Sequence, residues 1–417
     1  MSVKITQINP GLDWYNKWPR NVAWPAKKMD DLVFIGGQLP LDSDDNIVGV
    51  GNVQEQARFA LIKFKECVEL AGGTMDDVVE VQSFHTDVRH IPAVLEVAKE
   101  FFKKSKPTWS AIQTSGLYKM AIDVCFNGIA VLNAKTRDIN PDLEWYAKPP
   151  WDVAVPCKVA NDLVIMGQIC ALDEKGKVVG PGDIVAQDRY AFKKILQCME
   201  EAGGTSDNIA DINMYSRDQR SQLWQLHTPH EFLVKNKKAM PDNMEAYSGT
   251  CISMPGFFHE DIISQHHVYG VLGDIKKIPL GGWMQWTLFY PANIELAGLK
   301  VGRYVFIPGQ VMFNPLYLET TLEEDIPSIR KQARHAFSQY ELILSTIGAT
   351  MENVAFIQPY SQVGWINPIL EEAQKFFRNA KPVVTSVGHR GLYLRQFQLE
   401  VYGMAIVDED SIRPYTE

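Results

Sequence analysis

The sequence predicts an α+β protein made of three tandem domains, each with the element order β-β-α-β-α-β-β. The prediction rests first on a long internal repeat. More than half of segment 9–33 recurs with the same residues 131 positions later, and Trp14-Tyr15 returns as Trp145-Tyr146. A third, weaker copy has Trp286 in the place of Trp14. So long a period indicates whole domains rather than a solenoid of short repeats. The second observation is that apolar residues switch between strand and helix spacing within each copy.

Each element of the first copy follows from its local pattern. Leu32–Ile35 is a short apolar, β-rich run closed by glycines, and a polar hairpin-like stretch leads to a second strand at 47–49. Residues 53–71 have apolar side chains three and four apart, which predicts an amphipathic helix that Gly72-Gly73 ends. The remaining elements are a strand at 78–84, a helix at 91–102 and strands at 109–114 and 122–132. This order predicts a sheet with two helices on one face.

The second and third copies repeat this order with the same anchor residues. Gln38, Gln168 and Gln310 are each predicted to end the first long strand. We therefore predict domains at residues 1–138, 139–278 and 279–417, joined by short linkers. Three tandem copies also predict a ring, in which each site forms between unlike copies and is free to diverge.

Composition and charge exclude several classes of protein. Hydrophobic residues make up 46% and charged residues 22% of the chain, as in ordinary globular proteins. The formal net charge of -9 argues against nucleic-acid binding, which needs a basic surface. No apolar run reaches the ~18–20 residues of a membrane span, and a secretory signal pattern is absent. Six cysteines without CxxC spacing indicate reduced core residues. We expect a cytoplasmic protein without membrane or nucleic-acid partners.

The repeat unit resembles the Rid (YjgF/YER057c/UK114) family. The segments that carry the resemblance are Phe34–Asp42, Ala71–Val79, Phe84–Asp87 and Phe101–Pro107, and Val305–Gln310 matches the opening motif again. The resemblance covers nearly the whole chain as three consecutive domains. It implies a chorismate-mutase-like fold, a barrel-like core and ligand clefts between adjacent subunits. The chain would then be a single-chain pseudo-trimer, and further homodimerisation stays open.

The resemblance implies less about the reaction. Rid proteins hydrolyse enamines and imines. In them an arginine two residues after a Lys-Pro proline binds the substrate carboxylate, and a glutamate on the last strand positions or activates water. The arginine position holds Trp109, Tyr247 and Val384 in the three copies, and the glutamate position holds Asn127, His267 and Tyr402. Because no copy keeps either residue, the standard 2-aminoacrylate deamination is not expected.

The leading catalytic candidates are His267, Glu400 and Tyr402. Residues two apart on a strand share a face, so Glu400 and Tyr402 point together. A histidine is suited to proton transfer near neutral pH, and Arg390 is a candidate anion anchor for the third cleft. The alternatives are a satisfied interior histidine at position 267 and an ordinary arginine–glutamate pair on a solvated strand.

The substrate-binding candidates besides Arg390 are aromatic or neutral: Trp109, Tyr118, Asn127 and Tyr247. Such a lining suits a planar or apolar ligand, although aromatic residues at this spacing are also typical of a core. The repeated Trp-Tyr pairs before each first strand either cover the clefts or hold the chain against its neighbour.

Together these features predict a cofactor-independent hydrolase of C–N or C=N bonds. Its substrate would be a small reactive metabolite with a C=N, enamine or carbonyl centre, bound in one or two interdomain clefts. No histidine set has metal-ligand companions, and no phosphate-binding loop is present, so we expect no cofactor. The alternative is a non-catalytic metabolite-binding or scaffold protein. A third reading, ribonuclease activity, is disfavoured by the acidic charge.

Overall fold

The computed structural model describes residues 3–233, 247–274, 276–280, 297–312, 326–393 and 396–411. Trp286, part of the third repeat, lies outside these ranges. Each copy forms its own sheet with two helices, which confirms the predicted α+β class with three tandem domains. None of the helices described in these ranges is both long and apolar enough to cross a membrane.

The first sheet is built almost entirely from the first copy. Its strands are β1 (Ile5–Ile8), β2 (Ala26–Met29), β3 (Leu32–Gln38), β4 (Val78–His85), β5 (Thr108–Gln113) and β6 (Val124–Val131). A short strand of the second copy, β12 (Gly256–Phe257), extends it. The order is β1-β2-β3-β6-β4-β5-β12, and only β4 and β5 pair in parallel among strands of the first copy. Its helices are α1 (Val53–Leu70) and α2 (Ile91–Ala98).

Helix α1 shows how the local sequence sets these elements. The Asn52 side chain accepts a hydrogen bond from the Glu55 backbone N–H at 3.2 Å, which caps the first turn. Ala57 and Phe64 belong to the buried stripe that packs on β3 and β6. The chain leaves the helix through Gly72 at φ +90°, a left-handed conformation that favours glycine. Periodicity therefore predicts both the helix and its buried face.

The second and third sheets repeat this plan. The second contains β7 (Thr136–Ile139), β8 (Cys157–Ala160), β9 (Leu163–Cys170), β10 (Ile209–Ser216), β11 (Ser248–Ser253) and β13 (Ser264–Val271), with helices α3 (Ile184–Glu201) and α4 (Gln222–Leu233). The third contains β14 (Lys277–Leu280), β15 (Gly298–Val301), β16 (Tyr304–Gln310), β17 (Val354–Ser361), β18 (Val383–Val384), β19 (Val387–Gly388) and β20 (Leu399–Ile406). Its helices are α5 (Ile326–Ser345) and α6 (Ile366–Phe377).

Two sequence expectations about the strands need correction. The segment at 47–49 is not a strand of the sheet, because Ile47 forms only an isolated bridge with Leu41; the first hairpin is β2–β3 instead. The residue equivalent to Gln38 in the second copy is Ile169, since Gln38 pairs with Phe126 and Ile169 with His266. The second copy therefore carries Gln168 one position earlier, where the first copy has a glycine.

The three domains close a ring. Strand β5 contacts β9, β11 contacts β16 and β18 contacts β3, so each domain touches the next and the third returns to the first. We call these contacts the 1–2 cleft, the 2–3 cleft and the 3–1 cleft. Among the described residues the backbone ladders form three open sheets, and the barrel-like closure of the prediction is not found.

The domain boundaries at 138 and 278 stay predictions. Strand β7 pairs with β8 of the second sheet, and β14 pairs with β15 of the third. Both predicted boundaries therefore fall inside the first strand of a sheet rather than in the linker before it. The sheets themselves divide between 131 and 136 and between 271 and 277.

Candidate functional site

The register of β10 with β11 corrects one predicted site residue. Trp109 pairs with Val81 and Val384 with Ile357, and the matching partner of Ile212 is Gly249. The arginine position of the second copy is therefore held by Gly249, and Tyr247 lies two residues before it. Tyr247 is buried in the hydrophobic core of the second domain. Its predicted alignment was wrong because the second copy has extra residues in this part of the chain.

Side chains fill the 1–2 cleft. The Gln168 Oε1 atom accepts a hydrogen bond from the Ala111 N–H at 2.9 Å, so this side chain reaches across the cleft from the position of the missing glycine. At Gly167, even a Cβ atom would lie 2.7 Å from the Trp109 backbone nitrogen. The rings of Trp151 and Phe258 pack with centroids 4.7 Å apart. The predicted ligand contact of Trp109 stays untested, but its ring packs edge-on against Phe102 and Phe126, as a core residue does.

His267 lies deep in the same cleft. Its Nδ1 atom is 3.1 Å from Ser110 Oγ, and its Nε2 atom is 3.4 Å from a carboxylate oxygen of Glu80. Burial lowers the pKa of His267 to about 3, so the ring is neutral at physiological pH. The other Glu80 oxygen accepts a hydrogen bond from Tyr269 at 2.7 Å. Burial raises the pKa of Glu80 to about 7, against the hydrogen bonds from Tyr269 and Gln82. The two groups form a buried acid–imidazole pair, and the catalytic role of His267 stays a prediction.

The 2–3 cleft contains the residues predicted for the third copy. The Tyr402 hydroxyl donates to Asp211 Oδ2 at 2.9 Å, and burial raises the pKa of Asp211 to about 7. Glu400 is buried, and its carboxylate covers Gly309 so closely that a side chain there would overlap it. Arg390 is exposed and donates to the Arg217 carbonyl oxygen at 2.8 Å. The structure thus does not bring Arg390 and Glu400 together as an ion pair, and the roles of Arg390, Glu400 and Tyr402 stay predictions.

The 3–1 cleft keeps open space. A cavity of about 60 Å³ lies between the first and third domains, lined by Trp14, Tyr15, Arg20, Gly37, Tyr118 and Cys125 on one side and by Ile366, Leu370, Val384 and Ser386 on the other. Gly37 and Val384 hold the positions that Gln168 and Trp109 hold in the 1–2 cleft. In the 1–2 cleft the Gln168 side chain occupies the position that Gly37 leaves open here. Tyr118, predicted as a substrate-binding residue, therefore lines a cavity, and its role stays a prediction.

Arg20 supplies a positive charge to this cavity. The residue is only 7% exposed, and its guanidinium carbon lies 3.5 Å from the ring centroid of Tyr118 and 4.9 Å from that of Trp14. Its Nη1 donates to Asp45 at 3.0 Å, and Asp45 also pairs with Lys119 at 2.7 Å. Arg20 is the one charged residue among the described residues that line the cavity, so this side of the cavity favours an anion.

Tyr15 also distinguishes the 3–1 cleft. In the 1–2 cleft the hydroxyl of the equivalent Tyr146 donates to the Gly167 carbonyl oxygen at 3.0 Å. Tyr15 makes no such bond to Gly36, nor a hydroxyl bond to any other residue that the structure describes. Burial raises the pKa of Tyr15, so its hydroxyl stays protonated and is a potential donor to a ligand.

Asn127 lies beside this cleft rather than in the cavity itself. Its Nδ2 donates to Gln358 Oε1 and to Thr385 Oγ1, both at 3.1 Å and both in the third domain. It lines a second, smaller space of about 20 Å³ where this seam meets the second domain, together with Glu80, Gln82 and Tyr269. Across the described ranges, no three His, Cys, Asp or Glu side chains lie close enough to share a metal ion.

Comparison of the chain with known proteins identifies its family. The Endoribonuclease L-PSP family model matches residues 22–131. The 3-aminoacrylate deaminase RutC of Acinetobacter baylyi is 36% identical over 95 residues, which cover 23% of this chain and 75% of RutC. The chain belongs to the Rid family. Crystal structures similar to part of this Rid chain include TdcF of E. coli with bound serine (29% identity, 26% of this chain and 86% of TdcF, TM-score 0.24). A YjgF/YER057c/UK114 member from Mycobacterium tuberculosis is 23% identical, covering 31% of this chain and 100% of its own, with a TM-score of 0.26.

Sequence reasoning missed Arg20 and Glu80, although the repeat contains a signal for both. Arg20 aligns with Trp151 within a segment where most positions are identical, and Glu80 aligns with Asp211 and with Phe356. Mismatches inside a conserved-looking repeat unit mark the positions where the copies differ in chemistry. The functional positions known from the family lie elsewhere, on the last strand and after the Lys-Pro turn.

The buried carboxylate of Glu80 predicts a pH-dependent stability. Its folded pKa of about 7 lies above the ordinary value of 4.5, so its contribution is complete in acid and is lost as the pH rises between these values. We expect the free energy of unfolding of the wild type to fall through this group by roughly 3 kcal/mol from pH 5 to pH 8, and Glu80→Gln to lack that part of the fall. Urea unfolding of both proteins at several pH values measures the difference. The half-exposed Glu69→Gln is the control, and parallel pH curves for the wild type and Glu80→Gln would contradict the prediction.

Proposed function

We propose that this Rid chain is a cofactor-independent hydrolase of small reactive carboxylates with a C=N or enamine centre, and that it works in the 3–1 cleft. The observation that carries the proposal is the buried guanidinium of Arg20 beside a cavity of about 60 Å³ at the cleft where the family binds ligands. The other two clefts have larger side chains, Gln168 and Glu400, against the corresponding strand positions.

The cavity supports a small anionic substrate. At ~15 Å³ for one water-sized space, 60 Å³ accommodates only a few heavy atoms. Arg20 offers several N–H groups beyond the one bonded to Asp45, in a planar fork that matches a carboxylate. RutC is named as a 3-aminoacrylate deaminase and TdcF was crystallised with serine; both compounds are three-carbon carboxylates that carry nitrogen. A substrate of this size and charge suits the cavity.

The proposed binding mode differs from that implied by the resemblance. The family's arginine position holds Val384, which contributes an apolar wall. Arg20 instead comes from the segment before the first long strand of the neighbouring domain. The substrate carboxylate therefore points away from Val384 and towards Arg20, while the Tyr15 hydroxyl is placed to donate to the ligand. The reaction adds water to the C=N carbon and releases ammonia and a carbonyl compound.

A specific observation favours the second candidate function, a non-catalytic metabolite-binding protein. Among the described residues that line the 3–1 cavity, none carries a carboxylate or an imidazole that would act as an acid or base. Cys125 does not replace them, because burial raises the pKa of its thiol well above neutral pH. In this case the cleft would hold the anion without hydrolysing it.

The two candidates are separated by measuring turnover and binding together. Imines generated in situ by an amino-acid oxidase from alanine are intercepted by semicarbazide, and a hydrolase lowers the yield of the semicarbazone. Calorimetry with pyruvate, the product of that imine, measures binding. A lowered semicarbazone yield supports the hydrolase, and pyruvate binding with an unchanged yield supports the binding protein. If the protein shows no binding of pyruvate and no turnover of the imine, the proposed site is overturned.

A further inference from the structure

The small space at the 3–1 seam has room for one water molecule. Its volume is about 20 Å³, and its polar lining consists of Glu80, Gln82, Asn127, Tyr269, Gln358 and Thr385. A buried water needs roughly 10–15 Å³ and two or more polar partners. We call this space the inner chamber. Cys125 of the substrate cavity and Asn127 of the inner chamber lie two residues apart on β6, so the two spaces are separated by about 7 Å along one face of a strand.

Two buried amide oxygens of the inner chamber are available to accept hydrogen bonds. Gln82 Oε1 and Asn127 Oδ1 have no partner among the described residues, although both residues are more than nine-tenths buried. Their nitrogen atoms are already committed, because Gln82 Nε2 donates to Glu80 Oε1 at 3.0 Å and Asn127 Nδ2 donates to Gln358 and Thr385. These bonds fix the amides with both oxygens left as acceptors. A water molecule that donates one O–H to either amide oxygen keeps its second O–H for Glu80, which lines the same chamber.

We propose that the inner chamber holds the hydrolytic water of this enzyme, with Gln82 and Asn127 as its positioning residues and Glu80 as the group that accepts its proton. The inference rests on the proposed hydrolase function. The family has a glutamate on the last strand, at the position that Asn127 holds in this domain. Glu80 supplies a carboxylate to the same seam from a different strand. The substrate is held at Arg20 in the adjoining cavity, and the water approaches its C=N carbon from the side of Gly37 and Cys125.

The step balances without a further reactant. The water oxygen forms a bond to the C=N carbon, and the π-electron pair moves to the nitrogen. One water proton goes to the Glu80 carboxylate, which then delivers it to the nitrogen, giving a carbinolamine. In the collapse of the carbinolamine the hydroxyl proton passes through Glu80 to the nitrogen, the C=O bond forms, the C–N bond breaks and ammonia is released. Glu80 ends the cycle as a carboxylate, ready for the next water.

The surroundings of Glu80 suit this role. Tyr269 donates to one carboxylate oxygen, and Gln82 donates to the other, which also faces His267 at 3.4 Å. Asp211, Tyr215 and Tyr402 are further ionisable groups that interact with this network. Phe34, Phe356 and Val383 line the apolar part of the inner chamber. A carboxylic acid that titrates near pH 7 both accepts and returns a proton at physiological pH.

Glu80→Gln tests the inference against a matched control. We expect kcat to fall about 100-fold with KM changed less than threefold, because the substrate is bound by Arg20 and not by Glu80. The rise of kcat through pH 7 in the wild type should disappear in the variant. Glu69→Gln, which changes a half-exposed carboxylate of helix α1 outside this network, should keep the wild-type kcat and pH profile.

A second measurement does not depend on activity. A crystal structure of the wild type should contain a water peak within hydrogen-bonding distance of Gln82 Oε1 and Asn127 Oδ1, and Gln82→Met should lose both the peak and most of kcat. An empty inner chamber, or Glu80→Gln with wild-type kcat, overturns the inference while the hydrolase proposal stands. A wild type that turns over no imine overturns the hydrolase proposal itself, whatever the inner chamber contains.

Discussion

Replacing Arg20 by methionine is expected to weaken the binding of pyruvate about 100-fold and to raise KM for imine substrates by a similar factor. The guanidinium is only 7% exposed and lies between the rings of Tyr118 and Trp14, so it is already desolvated and oriented before a ligand binds. Loss of one member of a buried, hydrogen-bonded charge pair costs about 2–5 kcal/mol, and 1.4 kcal/mol is tenfold in affinity. Calorimetric titration with pyruvate measures the change.

Two further variants make the Arg20 result specific. Arg20→Lys keeps the charge but loses the planar fork, so we expect an intermediate loss of about tenfold. Arg58→Met removes an arginine that pairs with Glu100 on the surface, and it should bind pyruvate as the wild type does. Unchanged binding by Arg20→Met, in a variant that unfolds at the wild-type temperature, would rule out Arg20 as the anion site.

Replacing Lys27 by methionine is expected to lower the free energy of unfolding by about 3 kcal/mol or more. Lys27 is completely buried, and its ammonium group donates to the carbonyl oxygens of Glu352, Val354 and Ala380 of the third domain, at 2.8, 2.7 and 3.2 Å. Methionine keeps an unbranched apolar stem, one atom shorter, and leaves these carbonyl groups without that donor. Each buried acceptor left without a partner costs about 1–3 kcal/mol.

The position of Lys27 connects this stability to the proposed site. Its hydrogen bonds join the first and third domains, which form the two sides of the 3–1 cleft. The variant should therefore also lose pyruvate binding. Urea unfolding measures the stability, and Lys104→Met, at an exposed position of the first domain, is the control. A loss below about 1 kcal/mol would mean that Lys27 does not hold the two domains together.

The sequence predicts the elements of this fold better than their pairing. Apolar spacing finds helix α1 to within one residue, because the buried face alone determines that pattern. It misassigns Ile47, since a short apolar run has the same local signature in a strand and in an isolated bridge. It also places Tyr247 where the register puts Gly249, because strand register depends on partners far along the chain.

The candidate site was less predictable than the fold for a related reason. Family motifs identify positions, and in this chain those positions hold Val384 and Asn127, which bear neither of the family's charges. The charged residues that line the two spaces at the 3–1 seam are Arg20 and Glu80, which come from other segments of the first domain. Only the ring arrangement, which brings the third domain back to the first, shows that they face the same seam.

A crystal structure soaked with pyruvate would show whether one cleft of the three binds a small carboxylate. We predict density for one pyruvate per chain in the 3–1 cleft, with its carboxylate within hydrogen-bonding distance of Arg20. Density in the 1–2 cleft beside His267, or in the 2–3 cleft beside Glu400, with none at Arg20, would contradict the account.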